Sequence, residues 1–271
     1  MIGVELSKLF RRPRTWLTLV LLDALPTVVA ILLATTHLGP RPGQGPAFLS
    51  AVLTNGSLFA VAALAIVLPL FLPIAVAVVA GESVAGEAQS GTLRYLLIRP
   101  IGRTKLLVAK LISVFAFVMA AVVLVAGTGF VVGRLLLGHQ PLSAAVSSVS
   151  GSQLTPAQIA FRTLLAVGYV GVSMLGVAAM ALFLSTLTDS AQSATLGALA
   201  FLIGSSLLLT LDAATSLQPY LPTRYWLSFV DLFRDPMLLR NVERGIGLQA
   251  VYVAILLGAA WANFVTKDIK S

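Results

Sequence analysis

The chain has 271 residues, 58% hydrophobic and 10% charged, with a mean hydropathy of +0.97. A soluble domain carries about 25% charged residues, so a water-soluble globule is excluded, and a polar, charged disordered chain is excluded with it. The formal net charge of +8 would raise nucleic acid as a partner of a soluble protein, but in a chain this apolar the basic residues are read first as topology signals. Cysteine is absent, which removes disulfides, thiolate metal sites and cysteine nucleophiles.

In chain order, residues 1–14 have a helical pattern of their own. Ile2, Leu6, Leu9 and Phe10 share one face, and Glu5, Lys8, Arg11 and Arg12 take the other. That pattern predicts an amphipathic helix lying in the membrane interface. Pro13 ends or bends it, and Trp16 stands where an interfacial aromatic belongs. A basic stretch before an apolar run also opens a signal peptide, but this run is long and no clear Ala-x-Ala site follows it. An anchored first helix is therefore expected.

Six spans follow, at about 15–36, 58–80, 106–137, 159–186, 191–211 and 246–265. Each reaches roughly the 20 residues needed to cross a hydrocarbon core. The third and fourth are over-long and extend beyond the core or tilt. Pro69 and Pro73 bracket part of the second span and permit a bend there. Gly129 and Gly133 form a GxxxG in the third, suited to close helix packing. Asp23 falls inside the first span, where an acidic residue is costly, and marks either a path or a site satisfied by a neighbouring helix. Asp189 reads as a turn residue between the fourth and fifth spans. The fold expected is an all-α integral membrane protein, one transmembrane domain over residues 1–271.

Orientation follows from lysine and arginine. With the N-terminus inside, Lys8, Arg11, Arg12, Arg14, Arg94, Arg99, Arg103, Lys105, Lys267 and Lys270 are cytosolic. Arg41, Arg224, Arg234, Arg240 and Arg244 are external, with Arg134 and Arg162 at the rim. The bias favours N-in and C-in. Asp231, Asp235 and Glu243 stand among the external arginines, so local ion pairs are expected there.

The stretch from Gly81 to Lys110, in the first cytosolic loop, carries the most information. Glu82 and Glu87 follow the second span, and Gly91 breaks that helix. Thr92 can cap a short new one, with Leu93, Leu96 and Leu97 on one face and Arg94 and Arg99 polar. Pro100 stops it, and Gly102 and Arg103 turn the chain into the third span. A short, half-apolar, basic helix in the cytosol suits docking into a groove on another protein.

A Glu after the second span, then E…GTL…LL..P..R and a Lys entering the third, resembles the ABC-2 type permeases, the membrane subunits of type V ABC exporters. The layout of the whole chain is similar, with the sequence likeness concentrated in residues 82–110. The resemblance implies a permease that couples ATP hydrolysis on a separate subunit to export of a hydrophobic or amphipathic substrate. Residues 1–14 would be the elbow helix, with Lys8, Arg11 and Arg12 on it. The cytosolic coupling segment would span 81–104, its members being Glu82, Glu87, Gly91, Thr92, Arg94, Leu97, Arg99, Pro100 and Arg103. The segment 212–245 would hold external re-entrant helices, and the pathway would run between subunits beside the second and fifth spans. The implied partners are two ABC ATPase subunits carrying ATP and Mg, a second permease subunit forming a homodimer or a heterodimer, and the bilayer of a prokaryotic inner or plasma membrane, with no nucleic acid.

The chain itself carries no P-loop, since it has no Gly-Lys dipeptide. Gly245, Gly247 and Ala250 match a dinucleotide fingerprint only in spacing, without the βαβ context that gives it meaning. His37 and His139, with scattered carboxylates, make no recognisable metal set. No catalytic, cofactor or metal residue is therefore expected on this chain. Two alternatives stay open, a secondary transporter driven by an ion gradient and a non-transporting membrane scaffold. The first calls for paired charges within the spans, of which Asp23 is the one strong candidate.

Overall fold

The computed structural model describes residues 2–36, 55–91, 102–137, 146–147, 150 and 152–266. Among them the chain is helical apart from a two-residue antiparallel pairing of Val146–Ser147 with Gln153–Leu154. The helices are α1 (Ile2–Arg11), α2 (Pro13–Thr36), α3 (Phe59–Val67, entered by a 3-10 turn at Gly56–Leu58), α4 (Phe71–Gln89), α5 (Arg103–Leu136), α6 (Pro156–Leu187), α7 (Ala191–Leu208) and α8 (Arg240–Thr266). Six of them, α2 and α4 to α8, are long and apolar enough to cross a membrane. Where no water can pair the backbone, a segment that satisfies every N–H and C=O within itself is favoured, which is why these runs are helical despite their β-branched content.

The second span differs from the sequence expectation of a helix over 58–80. The chain instead makes the short α3, breaks at 68–70, and restarts as α4, which runs nine residues further, to Gln89. Pro69 removes the backbone donor that would continue α3. Leu70 then takes φ −139° and ψ −58°, outside the helical region, and resets the direction. Pro73 falls in the first turn of α4, where a missing N–H costs no intrahelical bond. The sixth span also begins earlier than expected, at Arg240, so the segment before it ends near residue 239.

α6 is the central helix, with 67% of its apolar window buried, and it packs on α4, α5, α7 and α8. Thr155 starts it with a capping box closed by Gln158, and Pro156 sits at the first helical position. Its buried face is built from small residues, among them Ala166, Gly171, Gly176, Ala178 and Ala181, which let neighbouring helices approach. The apolar windows of α2, α7 and α8 are only 22% buried and form the periphery.

The Gly129–Gly133 pair behaves as its spacing predicts. A Cβ on Gly129 would stand 2.8 Å from Ala63 Cβ and 3.3 Å from the Phe59 carbonyl oxygen, and one on Gly133 would strike the carbonyl of Gly56. α3 and its entry turn therefore lie directly on the backbone of α5. Asp189 is at a bend between α6 and α7, beside Ser190, which caps α7.

At the end of the bundle away from α1, residues 212–239 form three 3-10 turns joined by short links. Trp226, Phe229, Leu232 and Phe233 of the third turn are its buried face. Backbone carbonyls of this segment are held by side chains of the spans. Tyr169 Oη donates to the Tyr225 carbonyl at 2.6 Å, Gln249 Nε2 to that of Pro222 at 2.8 Å, and Arg162 Nη1 to that of Arg234 at 2.8 Å. The expected local ion pairs are present in part. Arg234 meets Asp231 at 3.0 Å and the buried Arg162 meets Asp235 at 3.7 Å, whereas Glu243 joins no ion pair among the described residues.

Candidate functional site

The densest gathering of charge lies where α1 meets the end of α4 and the beginning of α5. Lys110 is 1% exposed. Its Nζ donates to Glu87 Oε2 at 2.6 Å and to the Ser83 carbonyl at 2.6 Å, and stands 3.6 Å from Glu5 Oε2. Lys8 bonds the other oxygen of Glu87. The order Glu5, Lys110, Glu87, Lys8 alternates in sign and sums to zero. Each buried charge thus has an opposite neighbour, the condition for carrying ions in a low-dielectric interior. Further out, Arg12 and Arg14 approach Glu82 at 3.9 and 3.7 Å.

The backbone leads these side chains to one place. Thr15 Oγ1 and Trp16 Nε1 donate to the Leu9 and Phe10 carbonyls at 2.7 and 2.8 Å, closing the open end of α1 and fixing its angle to α2. α1 then lies across α5 with Glu5 buried. This differs from a simple interfacial helix. Glu5 and Lys8, on the face expected to meet water, are turned toward the bundle, while Ile2 and Val4 remain exposed. In the network each of those two side chains meets an opposite charge, Glu5 with Lys110 and Lys8 with Glu87.

α4 is also held by α6 where it meets this network. Ser185 of α6 accepts from Ala85 N–H at 2.8 Å and donates to the Gly81 carbonyl at 2.6 Å. The hydroxyl thus ties α6 to the backbone of α4 one turn before Glu87. A Cβ on Gly81 would stand 2.5 Å from Thr195 Oγ1, so α7 also presses on this turn. α4 ends two residues past Glu87, and Gly91 takes φ +66°, the left-handed closure that favours glycine.

Of the sequence-predicted site residues, the structure brings together Lys8, Arg12, Glu82 and Glu87, with Gly91 just beyond. Arg11 is exposed. Arg103 points elsewhere: its Nη1 donates to the Val265 carbonyl at 2.7 Å and ties the start of α5 to the end of α8. Trp261 Nε1 donates to Thr104 Oγ1 at 3.0 Å in the same seam. Thr92, Arg94, Leu97, Arg99 and Pro100 lie outside the described residues, as do His37 and His139. Glu5, Lys110 and Ser185 are members that the sequence reading does not reach. The available signal was Lys110 itself, a lysine inside an apolar run, where an ionisable group must have a partner.

Beside the network, an open cavity of about 760 Å³ lies between α2, α4 and α7, with Arg12, Arg14, Glu82, Gln89, Gln192 and Leu196 on its walls. Deeper in the bundle, the Thr128 hydroxyl bonds Asp23 Oδ1, so the acidic residue of α2 is satisfied by α5. No group of three or more His, Asp or Glu side chains gathers as a metal site among the described residues.

Six apolar helices long enough to cross a membrane define a multi-pass helical membrane protein. Residues 28–269 match the family model described as "Protein of unknown function (DUF2705)", and the chain belongs to that family. A search of curated proteins finds no match.

Proposed function

We propose that this protein is the membrane-spanning permease subunit of an ATP-driven exporter of the ABC-2 type. The observation that carries this reading is the network of Glu5, Lys8, Glu87 and Lys110. It makes α1, the end of α4 and the start of α5 one mechanical unit. The basic, half-apolar segment 92–101 is strung between that α4 end and that α5 start. A force applied to the segment by a moving ATPase would reach α4 and α5 together. Without the lock, α1 would be free to slide in the interface and absorb the motion.

In this reading two copies of the chain, alike or paired with a related subunit, each hold one ATPase subunit that carries ATP and Mg. ATP binding closes the ATPase pair, and the coupling segment passes the motion to the spans. The cavity between α2, α4 and α7 sits beside the second and fifth spans and mixes charged with apolar walls, which suits an amphipathic solute. The membrane is the prokaryotic inner or plasma membrane, with the N-terminus and C-terminus inside.

The test is co-expression with the ABC ATPase encoded nearest to it, followed by ATP hydrolysis of the complex in nanodiscs. Leu97→Asp should leave insertion intact and abolish the stimulation of hydrolysis by transported compounds. Unchanged stimulation in that variant would refute the coupling role.

One observation favours a second reading, an ion-driven transporter. Asp23 meets Thr128 within the spans and has no cationic partner among the described residues. Uptake by the chain alone in liposomes under an ion gradient, lost in Asp23→Asn, would promote it.

A further inference from the structure

The end of the bundle away from α1 presents an apolar prong beside unpaired positive charge. Met237, Leu238 and Leu239 are consecutive, lie outside any helix or strand, and are 36%, 49% and 44% exposed. Three adjacent exposed apolar residues are unfavourable in water and call for a covering phase. They are held in place. The Leu238 N–H donates to the Asp231 carbonyl at 3.3 Å, and the Asp231 carboxylate is occupied by Arg234 at 3.0 Å and by Asn241 at 3.1 Å.

Immediately after the prong, Arg240 and Arg244 occupy the first turns of α8 and are exposed. Neither has a carboxylate within ion-pair distance among the described residues. Glu243, exposed on the flank, pairs with neither, and Asp235 is turned to Arg162 at 3.7 Å. The two arginines therefore leave a net positive charge at the helix end.

Their position along α8 is specific. Residues 240, 244, 247, 251 and 255 recur at helical spacing and share a face. Val251 and Ile255 on it are 55% and 64% exposed, and a Cβ on Gly247 would meet nothing within 4 Å. This is the outward, lipid-facing stripe of the last span. From Ile246 to Val265 the helix rises roughly 30 Å, about the thickness of a hydrocarbon core. Arg240 and Arg244 thus fall just beyond the core, above the stripe, at the depth of lipid headgroups. A guanidinium is well matched to a phosphate diester, which it binds by two parallel hydrogen bonds.

We propose that Met237–Leu239 and the Arg240–Arg244 pair form a binding site for an anionic phospholipid in the leaflet away from α1, the external leaflet in the N-in orientation. The prong enters the acyl boundary and the two guanidinia take the phosphate. A zwitterionic headgroup fits less well, because its own cation would face two arginines with one carboxylate nearby. The inference stands apart from the exporter reading and needs no ATPase.

The experiment uses the full-length chain in nanodiscs made from phosphatidylcholine, with or without phosphatidylglycerol. The lipid retained after mild extraction is counted by native mass spectrometry. A basic residue at an anionic membrane surface is worth about a fivefold preference, so wild type should retain phosphatidylglycerol by an order of magnitude or more over phosphatidylcholine. Arg240→Gln/Arg244→Gln should lose that preference, and Arg240→Lys/Arg244→Lys should keep part of it. Two results would overturn the site: equal retention in wild type and the glutamine variant, or no preference in wild type. A third would be retention displaced by inorganic phosphate in the buffer, which would mean a soluble anion site instead.

Discussion

Lys110 Nζ lies 2.6 Å from Glu87 Oε2, across 23 positions of sequence, with both side chains almost wholly shut away from solvent. This pair joins the end of α4 to the start of α5 on either side of the proposed coupling segment. Removing Lys110 strands Glu5 in a buried site and leaves Glu87 with Lys8 alone, at a cost of about 3–5 kcal/mol. Lys110→Ala should therefore strongly lower the unfolding temperature of the protein in detergent. Glu5→Gln/Lys110→Met, which removes Lys110 together with the carboxylate it would strand and leaves Glu87 paired with Lys8, should recover a large part of the loss. A double variant no more stable than Lys110→Ala would show that the loss does not come from the stranded carboxylate.

A second prediction concerns α3 on α5. Gly129→Leu and Gly133→Leu each push a side chain into Ala63 or the Gly56 turn. Overpacking of this kind costs about 1–3 kcal/mol or more. Gly127→Ala has open space around its Cβ and should be neutral. Thermal unfolding in detergent measures all three on one scale.

Gly176 and Gln249 make a third. A Cβ on Gly176 would collide with Gln249 Oε1, the side chain whose Nε2 holds the Pro222 carbonyl. Gly176→Ala should expel Gln249 and release its hold on the 212–239 segment, at a cost of about 1–3 kcal/mol for the buried group left unpaired. Hydrogen exchange near residues 218–226 should rise in this variant, with little change at α1.

Ser185 supplies a fourth. In Ser185→Ala, Ala85 N–H and the Gly81 carbonyl still have each other as helical partners, so the loss should be modest, about 1 kcal/mol. Ser185→Val places a branched side chain against the same ladder without a hydroxyl and should cost more. The order of the two unfolding temperatures checks this.

The architecture was largely legible because a bilayer imposes few solutions. Apolar runs of the right length must be helices, and five of the six spans were read within a few residues at most boundaries. The second was not, because Pro69 and Pro73 permit either a bent helix or a break. The chain breaks at 68–70, with Leu70 outside the helical region, and α3 packs on Gly129 and Gly133, a contact between distant segments that no local pattern reveals. The candidate site was half legible. Glu82, Glu87, Lys8 and Arg12 stand out as charges beside apolar runs, and the fold does bring them together. What stayed hidden was the partner of each. Glu5 looks like a solvated residue on an amphipathic helix, and only the way α1 lies across α5 turns it toward Lys110. Arg103 shows the opposite case. It belongs to the coupling pattern by sequence, yet its side chain closes the end of α8.

The most direct measurement of the central claim is the mass of the particle isolated when the chain is co-expressed with the ABC ATPase encoded nearest to it. Native mass spectrometry should find two copies of the 28.4 kDa chain with two ATPase subunits, and Arg94→Glu/Leu97→Asp should release the ATPase while leaving the membrane dimer. A chain that retains no ATPase, and moves solute under an ion gradient by itself, would contradict the account.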